Sequence, residues 1–243
     1  MIKINKVKKT FQTSEGAIKA LNEVSFEIKD SECVVIGGEN GSGKSVLMSI
    51  IAGLENADSG DVTLSDVDGN TVRAGLVFQE AETQILGETP REDIAFGPKN
   101  LGWSKADVET AVQKALENTG LTKKADFPAR FLSGGEKRRL AVACMIAMNL
   151  PIIILDEPYA NLDYTGVKQV NSLIRQLKKE GKTVIILTHE LEKCLGLADR
   201  FIVLFRGQKV FEGTALEGLQ QNLEQWNIRN PLAACKEVQD LIW

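Results

Sequence analysis

A single histidine, His189, occurs in the 243 residues, which rules out any metal centre built from several imidazoles. Four cysteines, Cys33, Cys144, Cys194 and Cys235, lie too far apart for metal-ligand spacing. They read as buried thiols of a protein in a reducing cytoplasm. An excess of either charge is also missing. Twenty-nine Lys and Arg against 33 Asp and Glu leave a net charge of -4, which gives no general attraction to nucleic acid or anionic lipid. No nucleic-acid partner is expected. No charged-then-apolar leader opens the sequence. The most apolar stretch, Met145 to Leu155, is broken by Asn149 and Pro151 and is too short to span a bilayer. These absences predict a soluble protein that reaches a membrane only through a partner. Internal repeats and low-complexity segments are lacking too.

What remains is ordinary globular material, 43% hydrophobic and 26% charged, long enough for one large domain or one domain with a subdomain. Met1 to Val35 is β-rich, and Val24, Phe26 and Ile28 alternate with polar neighbours as in a half-buried strand. Cys33–Val34–Val35–Ile36 is a short apolar run entering Gly37–Gly38, the pattern of a buried strand before a turn. Lys44 to Leu54 reads as a helix, and Asp61 to Phe78 as further strand with a turn at Asp68–Gly69–Asn70. From about residue 79 to 150 the pattern becomes helical. Ser104 caps one helix, with Asp107 three residues on and Val108, Ala111, Val112, Ala115 and Leu116 on one face. A second helix follows Gly134–Gly135, with Leu140, Ala143, Cys144 and Ala147 inward. After residue 151 apolar strands return at Ile152–Leu155, Val184–Leu187 and Phe201–Phe205, with a helix marked by Val167, Val170, Leu173, Ile174 and Leu177 among them. Short, fully apolar strands alternating with helices predict an α/β fold whose parallel sheet is covered on both faces. The tail from Gly213 is weakly patterned and receives no role.

Gly38–Glu39–Asn40–Gly41–Ser42–Gly43–Lys44–Ser45 fits G-x-x-x-x-G-K-[ST] without mismatch, after a strand and before a helix. Glycines let successive N–H groups curl round a phosphate, and the helix start adds partial positive charge. Lys44 is placed to reach the β- and γ-phosphates and Ser45 to offer its hydroxyl to Mg²⁺. Such a loop needs an acidic partner for the metal and a group to activate water. Ile152–Leu155 ends in Asp156–Glu157–Pro158, and strand ends are where an α/β sheet presents its functional groups. Asp156 is expected to hold Mg²⁺ through water, and Glu157 to polarise the attacking water. His189 also follows a strand, as does Gln79, which suggests a γ-phosphate contact for the first and a γ-phosphate or Mg²⁺ sensor for the second.

Leu132–Ser133–Gly134–Gly135–Glu136 resembles the signature of the ATP-binding cassette ATPases. The phosphate loop, Gln79, this motif, Asp156–Glu157, Asn161–Leu162–Asp163 and His189 follow in that family's order over about nine tenths of the chain. The resemblance implies a phosphate-loop NTPase sheet core (1–78 and 151–243) with an N-terminal antiparallel β subdomain, an inserted helical subdomain (79–150) and a C-terminal tail from about 213. It implies an ATP hydrolase using ATP and Mg²⁺. It pairs Phe11 with adenine, although a plain core Phe remains an equal alternative. It places Ser133, Gly134 and Gly135 against the γ-phosphate of an opposite subunit's ATP, and Asp163 in the loop joining the two sites. The pair could be two identical copies or two related ATPases. Two positions depart from the family: Val46 stands for the usual Thr, at an expected cost of about 1 kcal/mol in nucleotide binding, and Asn161 for a common Gly. A narrower similarity, in Phe78–Gln84 and in Glu92–Gly102, is to the energy-coupling factor ATPases, which drive vitamin and metal-ion importers. It is poorer at Glu80–Ala81–Glu82. It implies docking of a membrane coupling protein through the segment after Gln79, a substrate-binding membrane protein in the complex, and a peripheral location on the cytoplasmic face. Alternatives are a soluble cassette ATPase of DNA, ribosome or cofactor-assembly work, the ATPase of another ABC importer type, or a non-hydrolytic nucleotide-binding adaptor. The long insertions and second cassette usual in DNA and ribosome work are absent.

Overall fold

The computed structural model describes residues 1–14 and 16–233; Cys235 and the rest of the tail lie outside them. Two long strands open the chain, β1 (Ile2–Thr13) and β2 (Gly16–Ile28), followed by the short buried β3 (Cys33–Gly37) and helix α1 (Lys44–Ile51). Next come β4 (Ser59–Leu64) and β5 (Ala74–Val77), then helices α2 (Pro90–Asn100), α3 (Lys105–Thr119) and α4 (Gly134–Ala147). The remainder is β6 (Ile152–Asp156), α5 (Tyr164–Lys179), β7 (Thr183–Leu187), β8 (Arg200–Phe205), β9 (Gln208–Gly213) and α6 (Ala215–Leu219). The strands form a mixed α/β architecture of two sheets. One is antiparallel, in the order β2–β1–β4. The other runs β5–β6–β7–β3–β8–β9 and is parallel except for its last strand.

The all-apolar strands have a simple cause. Along β3, Cys33 and Val35 join one core while Val34 and Ile36 join another on the opposite face. The same alternation holds for Ile153 and Leu155 against Ile152 and Ile154, and for Phe201 and Val203 against Ile202 and Leu204. Both faces of the parallel sheet are covered, so neither parity of residue can be polar. Helix α5 closes one face with Val170, Leu173, Ile174 and Leu177. Helix α1 and the antiparallel sheet, through Ile2, Val7, Leu21, Val24, Phe26 and Ile28, close the other.

The helices from α2 to α4 enclose their own core of Ile94, Val112, Leu116, Leu140 and Ala143. Helix α3 starts at Ser104, whose hydroxyl accepts from Asp107 N, and buries Val108, Val112, Ala115 and Leu116. Ala111 and Cys144 are only half-buried. Burial pushes the Cys33 thiol up to about 12 and raises those of Cys144 and Cys194, so all three stay protonated and unreactive.

Helix α2 falls in the segment expected to be helical, although it carries Gly97 and Pro98; Thr89 caps it by accepting from Glu92 N and Pro90 occupies its first turn. A Cβ at Gly97 would come within 2.6 Å of the Met148 side chain, so glycine lets that side chain pack closely. Strand β9 pairs antiparallel with β8 at the sheet edge, joined by a tight turn at Arg206–Gly207 where both residues have positive φ.

Candidate functional site

Because β3, β5, β6 and β7 are parallel, their carboxyl ends meet at one edge of the sheet. Strand β3 delivers Gly38–Lys44 to that edge. Gly43 precedes α1 with φ 98 and its missing Cβ would sit 2.5 Å from the Ala20 carbonyl, so only glycine fits. Lys44 is buried and folds its ammonium back onto the loop, donating to the Gly38 carbonyl at 2.8 Å and the Glu39 carbonyl at 3.0 Å. Burial pushes its pKa down, while Glu157, Asp156 and Glu39 push it up. The loop thus holds a cation a short reach from any bound phosphate.

Strand β6 delivers Asp156 and Glu157. Asp156 is hydrogen-bonded to Ser45, burial raises its carboxyl pKa, and its Oδ1 is buried without a partner. Ser42 Oγ is likewise buried and unpartnered. Orphan polar atoms inside a protein cost free energy, so two of them beside one loop mark a place shaped for something else. Glu157 sits at φ 45, a left-handed conformation that is costly for a residue with a Cβ. Its surroundings enforce it. Its N–H donates to the Leu187 carbonyl at 2.9 Å, Thr188 Oγ1 donates to its Oε2 at 3.0 Å, and His189 Nδ1 lies 2.9 Å from its Oε1. The side chain of Glu157 is almost fully buried while that of His189 is about half exposed, 7% against 53%. One carboxylate oxygen therefore meets a ring that still faces solvent.

A cleft of about 400 Å³ is lined by Phe11, Asn40, Gly41, Gly43, Lys44, Ser45, Gln79 and Glu157, with Ile18 and Val46 in its wall. Phe11 is 37% exposed and belongs to this wall rather than to the core. Gly38 and Ser42 lie buried within the loop. Ser133, Gly134, Gly135 and Asp163 are not part of the cleft. Ser133 caps α4 in a reciprocal box with Glu136, and Asp163 caps α5 by accepting from Gly166 N at 2.7 Å. A Cβ on Gly134 would meet nothing within 4 Å, and one on Gly135 only Leu162 at 3.6 Å. Among the described residues nothing requires glycine at either position. Asn161, at φ 59, occupies a left-handed position that asparagine adopts more readily than most residues with a Cβ.

Two contributors escaped the sequence reading. Thr188, fully buried, fixes Glu157, and its place between the apolar strand and His189 was the available signal. Arg138, also buried, donates to the Glu157 carbonyl at 2.5 Å and the Gln79 carbonyl at 2.8 Å. One guanidinium on the signature helix thus joins the turn after β6 to the turn after β5. Replacing Arg138 with Met is expected to destabilise the fold by about 2 kcal/mol, since two charge-assisted bonds vanish. In a chain of this size that lowers the melting temperature by about 4–8 °C, measured by thermal unfolding.

Beyond the cleft, Gln84 accepts from Phe78 N and donates to the Leu76 carbonyl, both at 2.8 Å. Asp93, buried, accepts from Leu86 N at 2.7 Å and Gly87 N at 2.8 Å. The segment after Gln79 is thus a fixed shape. It borders a groove of about 590 Å³ lined by Glu82, Ile85, Glu88, Thr89, Pro128, Arg130 and Lys137 among others. No helix among the described residues is long and apolar enough to cross a membrane.

A glycine-cradled lysine beside paired carboxylates at a parallel-sheet edge defines a nucleoside-triphosphate-hydrolysing protein. The family model described as "ABC transporter" matches residues 21–160. The energy-coupling factor transporter ATP-binding protein EcfA1 of Clostridioides difficile is 37% identical over 226 residues, covering 89% of this chain and 81% of that protein. The structure of CbiO1 from Clostridium perfringens, part of the ABC transporter complex CbiONQ, superposes with a TM-score of 0.79 at 29% identity and covers 95% of both chains. The dimeric post-hydrolysis state of the ATP-binding cassette MJ0796, bound to ADP and Pi, gives a TM-score of 0.79 at 29% identity over 88% of this chain and 99% of that one. This chain belongs to the ABC transporter ATPase family and is an ATP hydrolase.

Proposed function

We propose that the chain is the ATP-hydrolysing subunit of an energy-coupling factor importer for a vitamin or a metal ion, held peripherally at the cytoplasmic face of the membrane. The family relationship supports the chemistry, and the groove beside the segment after Gln79 supports the coupling. In this reading ATP lies in the Phe11-to-Glu157 cleft. Lys44 and the loop N–H groups stabilise charge on the transferring phosphoryl. Glu157 takes the proton of the attacking water, and His189 and Gln79 position that water and the γ-phosphate. Thr188 and Arg138 hold Glu157 for the task.

Magnesium fits the donors present. Asp156 offers a buried, unpartnered Oδ1 beside the Ser45 hydroxyl, and a divalent cation there would offset the burial that now raises its carboxyl pKa. Ser45, Asp156 and Gln79 would hold it, and it would neutralise charge on the β- and γ-phosphates.

Ser133, Gly134 and Gly135 stand exposed or half-exposed at a helix start, the two glycines bare of Cβ atoms and all three outside their own chain's cleft. They are assigned to the γ-phosphate of a second subunit's ATP, identical or related, with Asp163 near the junction. The chain then acts as one ATPase domain, in which residues 79–150 move against the core 1–78 and 151–243 as two subunits close and reopen. The same movement works the membrane coupling protein, which is associated with a substrate-binding membrane protein.

Leu86, exposed beside the groove, tests the coupling. The Leu86→Asp variant is expected to bind Mg-ATP as the parent does. Its co-purification from detergent-solubilised membranes with a multi-spanning protein should fall at least about tenfold, the equivalent of roughly 1.4 kcal/mol. If the variant retains that protein fully, or the parent brings none, the importer assignment fails.

A further inference from the structure

The chain after β9 returns to the catalytic edge. Following α6, a single turn of 3-10 helix at Leu223–Trp226 and the residue Ile228 anchor it, with Leu223 and Ile228 buried in the same core as Leu155, Tyr159 and Val203. Trp226 packs against Phe211 at 6.3 Å between ring centroids. Between these anchors Asn227 adopts φ 56 and donates from Nδ2 to Glu39 Oε2 at 2.6 Å, across 188 positions of sequence. Glu39 is the second residue of the phosphate loop, and its own carbonyl receives Lys44 Nζ at 3.0 Å. One residue is therefore held by the tail through its side chain and by the catalytic lysine through its backbone. Asn227 and Ile228 also form one wall of a cleft of about 490 Å³ whose other side includes His189.

A carboxylate in a loop built to receive a polyanion is an electrostatic liability. It is tolerable if a donor fixes it away from the ligand. We propose that Asn227 is a positioning residue for ATP binding, through which the tail clamps the Glu39 carboxylate on its own side of the loop and keeps it off the triphosphate. The clamp concerns ATP affinity alone, so it stands or falls independently of the membrane partner.

The test is a double-mutant cycle read by calorimetric titration of the full chain with Mg-ATP. Asn227→Gly removes the amide while leaving a left-handed backbone that glycine adopts freely. It is expected to raise the Kd for ATP about tenfold, the scale of one lost charge-assisted hydrogen bond. In steady state KM rises and kcat at saturating ATP is largely kept. In a Glu39→Gln background, where no charge needs restraint, Asn227→Gly should change the Kd by less than about twofold. Asn227→Asp, which also tolerates the backbone, sets two carboxylates face to face and should weaken ATP further. Combined with Glu39→Gln, which restores a donor–acceptor pair with its polarity reversed, it should regain the parental Kd. An unchanged Kd in Asn227→Gly overturns the clamp. So does an equal loss with and without the Glu39 carboxylate, since the tail would then act by packing alone.

Discussion

With Glu157 replaced by Gln, ATP is expected to bind as before, turnover to fall by about 10²–10⁴-fold, and the protein to accumulate as a closed dimer under Mg-ATP. The loss is that expected for removing a general base. The substitution is nearly isosteric and the site is unusually well determined, which makes this outcome specific. The Glu157 backbone is pinned by Leu187 and Arg138, and its two carboxylate oxygens meet Thr188 and His189. An amide keeps the shape and can still accept from Thr188, so the strained backbone at φ 45 need not relax. What disappears is the negative charge that, in the proposed mechanism, takes a proton from water. Phosphate release and gel filtration read the two halves of the expectation. Normal hydrolysis by the variant would remove Glu157 from the chemistry, and a variant unable to bind ATP would show that its carboxylate shapes the cleft.

Replacing Lys44 by Ala separates binding from folding. The ammonium is buried, and its bonds to the Gly38 and Glu39 carbonyls offset part of the cost of desolvating it. Removing it relieves that cost as it removes the bonds, so the melting temperature without nucleotide should move little. Affinity for ATP should fall by about 10–100-fold, as expected for losing charge-assisted bonds to phosphate. Ligand stabilisation makes the contrast visible. At a free ATP concentration 100 times the parental Kd, the parent gains about 2.7 kcal/mol, and the variant should gain only about 0.4–1.4 kcal/mol. An ATP titration identical to the parent's would refute the role of Lys44.

These expectations draw on different levels of the molecule. The phosphate loop was legible in the sequence because its requirements are local. Gly43 must reach φ 98 to start α1, and the apolar run Cys33–Ile36 leads as a buried strand straight into the loop. The positions of Asp156–Glu157 and His189 at strand ends were legible for a related reason: the four-residue apolar runs Ile152–Leu155 and Val184–Leu187 announce where they end, and parallel strands end together. Helix α2 lies inside the segment read as helical but had no bounds of its own in the sequence, because Gly97–Pro98 speaks against a helix locally and its cap at Thr89 carries no strong periodic signal.

The amino-acid sequence alone determined the class of fold, the nucleotide loop and the carboxylates that face it, since each depends on residues within a turn or strand of one another. Only the tertiary structure decided what holds those groups in place. Arg138 joins carbonyls 59 and 19 positions away, Thr188 reaches back 31 positions to Glu157, and Asn227 meets Glu39 across 188. Such pairings carry no periodicity and no spacing rule, because packing of the two cores on the parallel sheet, rather than the chain's local preferences, sets which distant polar groups come within hydrogen-bonding reach.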